Sequence, residues 1–93
     1  MHQVYLGLGT NLGDKEANLK AAVEEIGKRV GEVTSLSAFH VSEPWGFTSE
    51  HTFLNAVCCV LTDFRPMEVL RLTQDIERSL GRLKKSVKVT IFR

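Results

Sequence analysis

The chain has 93 residues, near the lower end for a domain that must bury its own core. At 43% hydrophobic and 25% charged, the composition excludes a disordered chain and describes one globular domain spanning residues 1–93. With 12 basic against 11 acidic residues, the net charge of +1 gives no support to a nucleic-acid or anionic-membrane surface.

In chain order, residues 4–9 are short and apolar and predict a buried strand, which ends in the turn Gly9-Thr10-Asn11-Leu12-Gly13-Asp14. The period then changes. Leu19, Ala22, Val23, Ile26 and Val30 share one helical face, with Asp14 as N-cap, Glu16 at the positive end of the dipole and Gly31 as the C′ residue. Residues 32–41 predict a strand. Residues 53–62 predict a stronger one, apolar on both faces and therefore central in a sheet.

That central strand holds the only two cysteines, Cys58 and Cys59. Adjacent cysteines rarely pair, so buried thiols in a reducing compartment are expected. No apolar run approaches the roughly 20 residues of a membrane span and no signal-like segment opens the chain, so a cytoplasmic location is expected. Residues 42–52, between the two strands, predict a loop long enough for a binding role.

Pro66 opens a second helix with a buried stripe of Val69, Leu72, Ile76 and Leu80, and Gly81 is expected to end it. The tail carries Lys84, Lys85 and Lys88, and residues 87–92 fit a short strand. The order β-α-β-β-α with a further β predicts an α+β, ferredoxin-like sandwich, its helices on one face of an antiparallel sheet.

Four groups of residues are candidates for chemistry. The turn at residues 9–13 joins a strand to a helix, where backbone N–H groups can face an anion or simply turn the chain. Trp45, between Pro44 and Gly46 and near Phe47, offers an aromatic wall for a flat heterocycle or a cover for one end of the core. Asn55 is a polar residue in an apolar strand. Its amide can read a purine-like or pterin-like edge or satisfy neighbouring loop backbone. Gln74, Glu77 and Arg82 supply the amide, carboxylate and guanidinium that polyphosphates require, although a solvated helix face has the same pattern. His2, His40 and His51 show no metal-ligand spacing and read as structural or exposed.

Together these segments resemble the 6-hydroxymethyl-7,8-dihydropterin pyrophosphokinases. That family has G-[ST]-N-[LM]-G-[DN], here Gly9-Thr10-Asn11-Leu12-Gly13-Asp14, and an S/T-x-P-x-G loop, here Ser42-Glu43-Pro44-Trp45-Gly46. An aromatic-L-N-A strand follows, here Phe53-Leu54-Asn55-Ala56, then Q-x-I-E-x-x-x-G-R, here beginning at Gln74 and ending at Arg82. The match covers residues 3–85. It implies transfer of pyrophosphate from ATP to the hydroxymethyl group of a reduced pterin, in folate biosynthesis. Gly9, Asn11, Ser42, Pro44, Trp45, Phe53 and Asn55 would belong to the pterin site, with Phe53 stacking on the ring and Asn55 reading its edge. Gln74, Glu77, Arg82 and Lys84 would lie on the ATP side, Lys84 standing where the family usually has Arg. No residue is assigned a catalytic role.

The resemblance also implies two Mg²⁺ ions held by the aspartates of a D-[IL]-D strand that follows W-G-P-R. Residues 86–93 read S-V-K-V-T-I-F-R instead, and the only aspartates are Asp14, Asp63 and Asp75. The chain therefore reads as the N-terminal portion of the family's domain, expected to be inactive or very feeble alone. Two alternatives stand beside that reading. One is a non-catalytic pterin- or nucleotide-binding fragment. The other is an assembly domain that dimerises to repair an open sheet edge.

Overall fold

The structure is a computed structural model that describes residues 1–42 and 52–92. Its elements are β1 (His2–Thr10), α1 (Lys15–Arg29), β2 (Glu32–Leu36), β3 (His40–Ser42), β4 (Phe53–Thr62), α2 (Pro66–Arg82) and β5 (Lys88–Phe92). The strands form one antiparallel sheet in the order β2-β4-β1-β5, with β3 also paired to β4.

Period-two alternation decides which face of the sheet is covered. Val4, Leu6, Leu8 and Thr10 of β1, and Ala56, Cys58, Val60 and Thr62 of β4, are buried. Leu19, Ala22 and Ile26 of α1 and Val69, Ile76 and Leu80 of α2 join the same core. Both helices thus lie on one side. The other side of β1 and β4 is open over much of its length.

Local chemistry sets the helix ends. Asp14 Oδ1 accepts from the Ala17 amide at 3.1 Å and caps α1, and Val30 closes it by donating its N–H to the Ile26 carbonyl at 2.9 Å. At the start of α2, Pro66 follows Arg65, whose N–H donates to Glu68 Oε1 at 3.0 Å. The expected stop at Gly81 is displaced. The helix runs to Arg82, and the residue that takes the left-handed conformation is Lys84, at φ 59°. Lys84 and Lys85 donate their amides to the carbonyls of Gly81 and Leu80, so the final turn is closed without a glycine at the reversal.

The single strand expected at 32–41 is two strands. A register shift between Val33 and Ser35 bends β2, and Ser37 then leaves the ladder while still exchanging hydrogen bonds with Val57. Its N–H donates to the Val57 carbonyl, and its Oγ accepts from the Val57 amide, both at 2.9 Å. Ser42, expected in the loop, is the last residue of β3 and pairs with Phe53. Residues 43–51 of that loop lie outside the described residues.

β5 forms and pairs with β1 from Tyr5↔Phe92 to Gly9↔Lys88. β1 is therefore not an edge of the sheet. β5 is instead the edge, and Glu77 Oε2 of α2 accepts its Val89 amide at 2.7 Å. A charged acceptor on an edge amide both satisfies it and discourages strand addition. Glu77→Ala is expected to lower unfolding free energy by about 1–2 kcal/mol. Amide exchange should quicken first along β5, and uniform protection of that strand would contradict the assignment.

Candidate functional site

Because the even positions of β1 turn to the helices, Gly7 and Gly9 fall on the open face. Pairing then assembles that face across four strands. Gly9 lies opposite Asn55 on one side and Lys88 on the other, while His40 lies beyond Asn55. Gly7 lies between Val57 and Thr90 in the next row. These residues, with Ser42, Phe53 and Phe92, line an open cleft of about 420 Å³.

Two glycines form its floor for a steric reason. A Cβ on Gly9 would lie 3.0 Å from Asn55 Oδ1 and 3.9 Å from the Phe53 ring. A Cβ on Gly7 would lie 2.7 Å from the Phe92 ring, which therefore rests across that residue. Phe53 and Phe92 thus bound the floor at its two ends. Asn55 Nδ2 donates to Ser42 Oγ at 2.7 Å and reaches the Phe53 carbonyl at 3.4 Å. These bonds fix the amide so that Oδ1 is turned over Gly9, available as an acceptor.

A second polar network holds the adjoining turns. Asn18, buried in α1, donates from Nδ2 to the Leu12 carbonyl at 2.8 Å and reaches Thr10 Oγ1 at 3.4 Å. Thr10 Oγ1 in turn donates to the Ser86 carbonyl at 2.7 Å. The β1–α1 turn and the α2–β5 connection are thereby tied together, and Lys15 Nζ donates to Thr52 Oγ1 at 3.0 Å just before β4.

The cleft brings together Gly9, Ser42, Phe53 and Asn55 of the expected pterin residues. Asn11 is half-buried just past β1 and does not line it. Pro44 and Trp45 lie outside the described residues. Of the four residues expected on the ATP side, Gln74, Arg82 and Lys84 are exposed and none lines the cleft, while Glu77 is engaged with β5. His40 is exposed and lines the cleft. Lys88, Thr90 and Phe92 were missed as site residues. Their signal was the alternation of Lys88-Val89-Thr90-Ile91-Phe92, which puts Val89 and Ile91 toward the core and the other three on the open face.

The described residues do not fit a paired metal site. Asp14 caps α1, Asp63 pairs with the N-terminal amine at 3.3 Å, and Asp75 pairs with Arg78. Among the described residues, no cluster of three His, Cys, Asp or Glu side chains is placed to hold an ion.

The two thiols are free and buried on opposite sides of β4, Cys58 in the core and Cys59 facing away. Burial, and secondarily the neighbouring Cys59, pushes the Cys58 thiol up to about 11 from 9.0. The folded state holds that proton more tightly than the unfolded chain. The contribution is therefore present below about pH 9 and lost as pH rises toward about 11. Denaturant melts should show stability falling through that window, and Cys58→Ala should flatten the fall. An unchanged slope in the variant would assign the loss to other groups.

Fold and cleft together define an α+β sandwich that presents an amide-lined, glycine-floored cleft of heterocycle size on its open sheet face. The chain belongs to the 7,8-dihydro-6-hydroxymethylpterin-pyrophosphokinase family, whose model matches residues 5–91. It is 52% identical over 83 residues to the 2-amino-4-hydroxy-6-hydroxymethyldihydropteridine pyrophosphokinase of Porphyromonas gingivalis, covering 89% of this chain and 56% of that one. It is 41% identical over 85 residues to the enzyme of the same name from Methylorubrum extorquens, covering 90% of this chain and 54% of that one. The folic acid synthesis protein fol1 of Schizosaccharomyces pombe is 35% identical over 85 residues, covering 90% of this chain and 12% of that protein. The chain spans about half the length of the two bacterial relatives. Among the described residues, no helix is long and apolar enough to cross a membrane.

Proposed function

We propose that the protein works in folate biosynthesis as an ATP-dependent pyrophosphokinase of this family, and that these residues supply the pterin side of its site. The observation that carries the reading is the Asn55 amide, held by Ser42 over the bare floor of Gly9 and beside the Phe53 ring. A fixed amide beside an aromatic ring matches a flat heterocycle with donors and acceptors along one edge. Gln74, Arg82 and Lys84 would meet the nucleotide, as exposed groups that become ordered on its phosphates.

Phosphoryl transfer depends on metal ions and positioning far more than on protein nucleophiles. With Asp14, Asp63 and Asp75 each engaged elsewhere, these 93 residues are expected to bind pterin but turn it over very feebly. Titration calorimetry with 6-hydroxymethylpterin should give saturable 1:1 binding, and incubation of 6-hydroxymethyl-7,8-dihydropterin with ATP and Mg²⁺ should give little AMP. Absence of pterin binding would overturn the reading. Turnover at the rate of an ordinary kinase would overturn the expectation of feebleness.

A further inference from the structure

Two threonines latch the sheet at its opposite ends. Thr10 and Thr62 are the last residues of β1 and β4, and both are 2% exposed. Each hydroxyl donates to a carbonyl at 2.7 Å, Thr10 to Ser86 and Thr62 to Val30. Each also accepts an N–H, Thr10 from the Asn18 side chain at 3.4 Å and Thr62 from the Phe64 backbone at 3.1 Å. With its acceptor side occupied, the single hydroxyl proton is aimed at the carbonyl. The chemistry matches at both ends, but what is held differs. Thr62 joins the end of α1 to β4, whereas Thr10 holds the residues that lead into β5.

That difference bears on the cleft. β5 is five residues long and, among the described residues, pairs with β1 alone. So short an edge strand opens at little free-energy cost. Its last rung on this side is Gly9↔Lys88, one position before Thr10, so the Thr10–Ser86 bond closes the ladder where the strand would peel. Gly9 is the floor residue opposite Asn55, and Lys88, Thr90 and Phe92 of β5 line the cleft.

We propose that Thr10 is a positioning residue of the pterin site, its hydroxyl latching β5 to the end of β1 and so holding one wall of the cleft against the Gly9 floor. The assignment rests on the pterin reading above and adds a residue on the covered face of the sheet, behind the ligand. Asn18 serves the same latch by aiming the hydroxyl. Only chains with β5 in place present the whole cleft, so apparent affinity follows the latched fraction.

Fluorescence titration of 6-hydroxymethylpterin into the full chain provides the test, with Thr62→Val as the matched control. Thr62 pairs with His2, eight positions along β1 from Thr10, about 27 Å away. Both valine variants should lower the denaturant midpoint to a similar degree, since each loses the same kind of bond. Thr10→Val is expected to weaken pterin binding about threefold to tenfold, the scale of one hydrogen bond, while Thr62→Val binds as the native chain does. Thr10→Ser keeps the hydroxyl and should restore native affinity. Asn18→Leu frees the hydroxyl to turn and should weaken binding about twofold to threefold, a second route to the answer should Thr10→Val not fold. Native affinity in Thr10→Val or Asn18→Leu, equal weakening in Thr62→Val, or a Thr10→Ser protein as weak as Thr10→Val would each overturn the proposal. In those cases the latch alone falls; if the native chain binds no pterin, the pterin reading falls and takes the latch with it.

Discussion

Gly31→Ala is expected to cost about 2–4 kcal/mol of folding free energy, a large share of what so small a domain has. The reason is proximity of backbone to backbone. A Cβ at Gly31 would stand 2.2 Å from the Leu61 carbonyl oxygen and 3.0 Å from Thr62 Cβ. Neither neighbour can rotate away, because Thr62 Oγ1 donates to the Val30 carbonyl at 2.7 Å and locks the end of α1 to the end of β4. Relief requires α1 to shift against the sheet. Gly81→Ala is the matched control, since a Cβ there meets nothing within 4 Å. Within the last turn of a helix that change should be neutral or stabilise by up to about 1 kcal/mol. Denaturant midpoints for the pair decide the matter, and equal midpoints would refute the close approach.

Asn55→Leu is expected to weaken 6-hydroxymethylpterin binding at least about tenfold, with little change in stability. The two effects separate because Asn55 is half-exposed on the open face and contributes nothing to the core between sheet and helices. Leucine keeps the volume but offers the ligand neither donor nor acceptor, so the ligand's polar edge is desolvated without a partner. Ser42→Ala should cost less, since Ser42 holds the amide by one bond and the Phe53 carbonyl remains within 3.4 Å. Calorimetry on the folded variants separates these outcomes. An Asn55→Leu protein that binds as the native chain does would remove the amide from the site.

The two variants probe different levels of organisation. The Gly31 contact joins residues 30 positions apart in sequence, and the Asn55 amide is fixed by a residue on a strand the sequence did not separate from its neighbour. In the same way the second polar network links Thr10 to Ser86 across 76 positions. Buried or semi-buried polar groups must find partners, but the chain does not announce which ones they will find.

Both helices, the central strand β4 and the cap at Asp14 were legible in the sequence, because periodicity and capping depend on residues within a turn or two of one another. The family was legible too, since four short motifs keep their order and spacing. The break of residues 32–41 into β2 and β3 was not, because it arises from a bulge and from Ser37 bonding to a strand 20 positions away. Nor was the displaced end of α2, where Lys84 rather than Gly81 takes the left-handed turn and the amides of Lys84 and Lys85 close it. Above all, only the tertiary structure decided that Lys88, Thr90 and Phe92 share a cleft with Gly9 and Asn55. Strand register is set by which apolar faces meet across the sheet, and a slip of one residue would have sent all three side chains into the core.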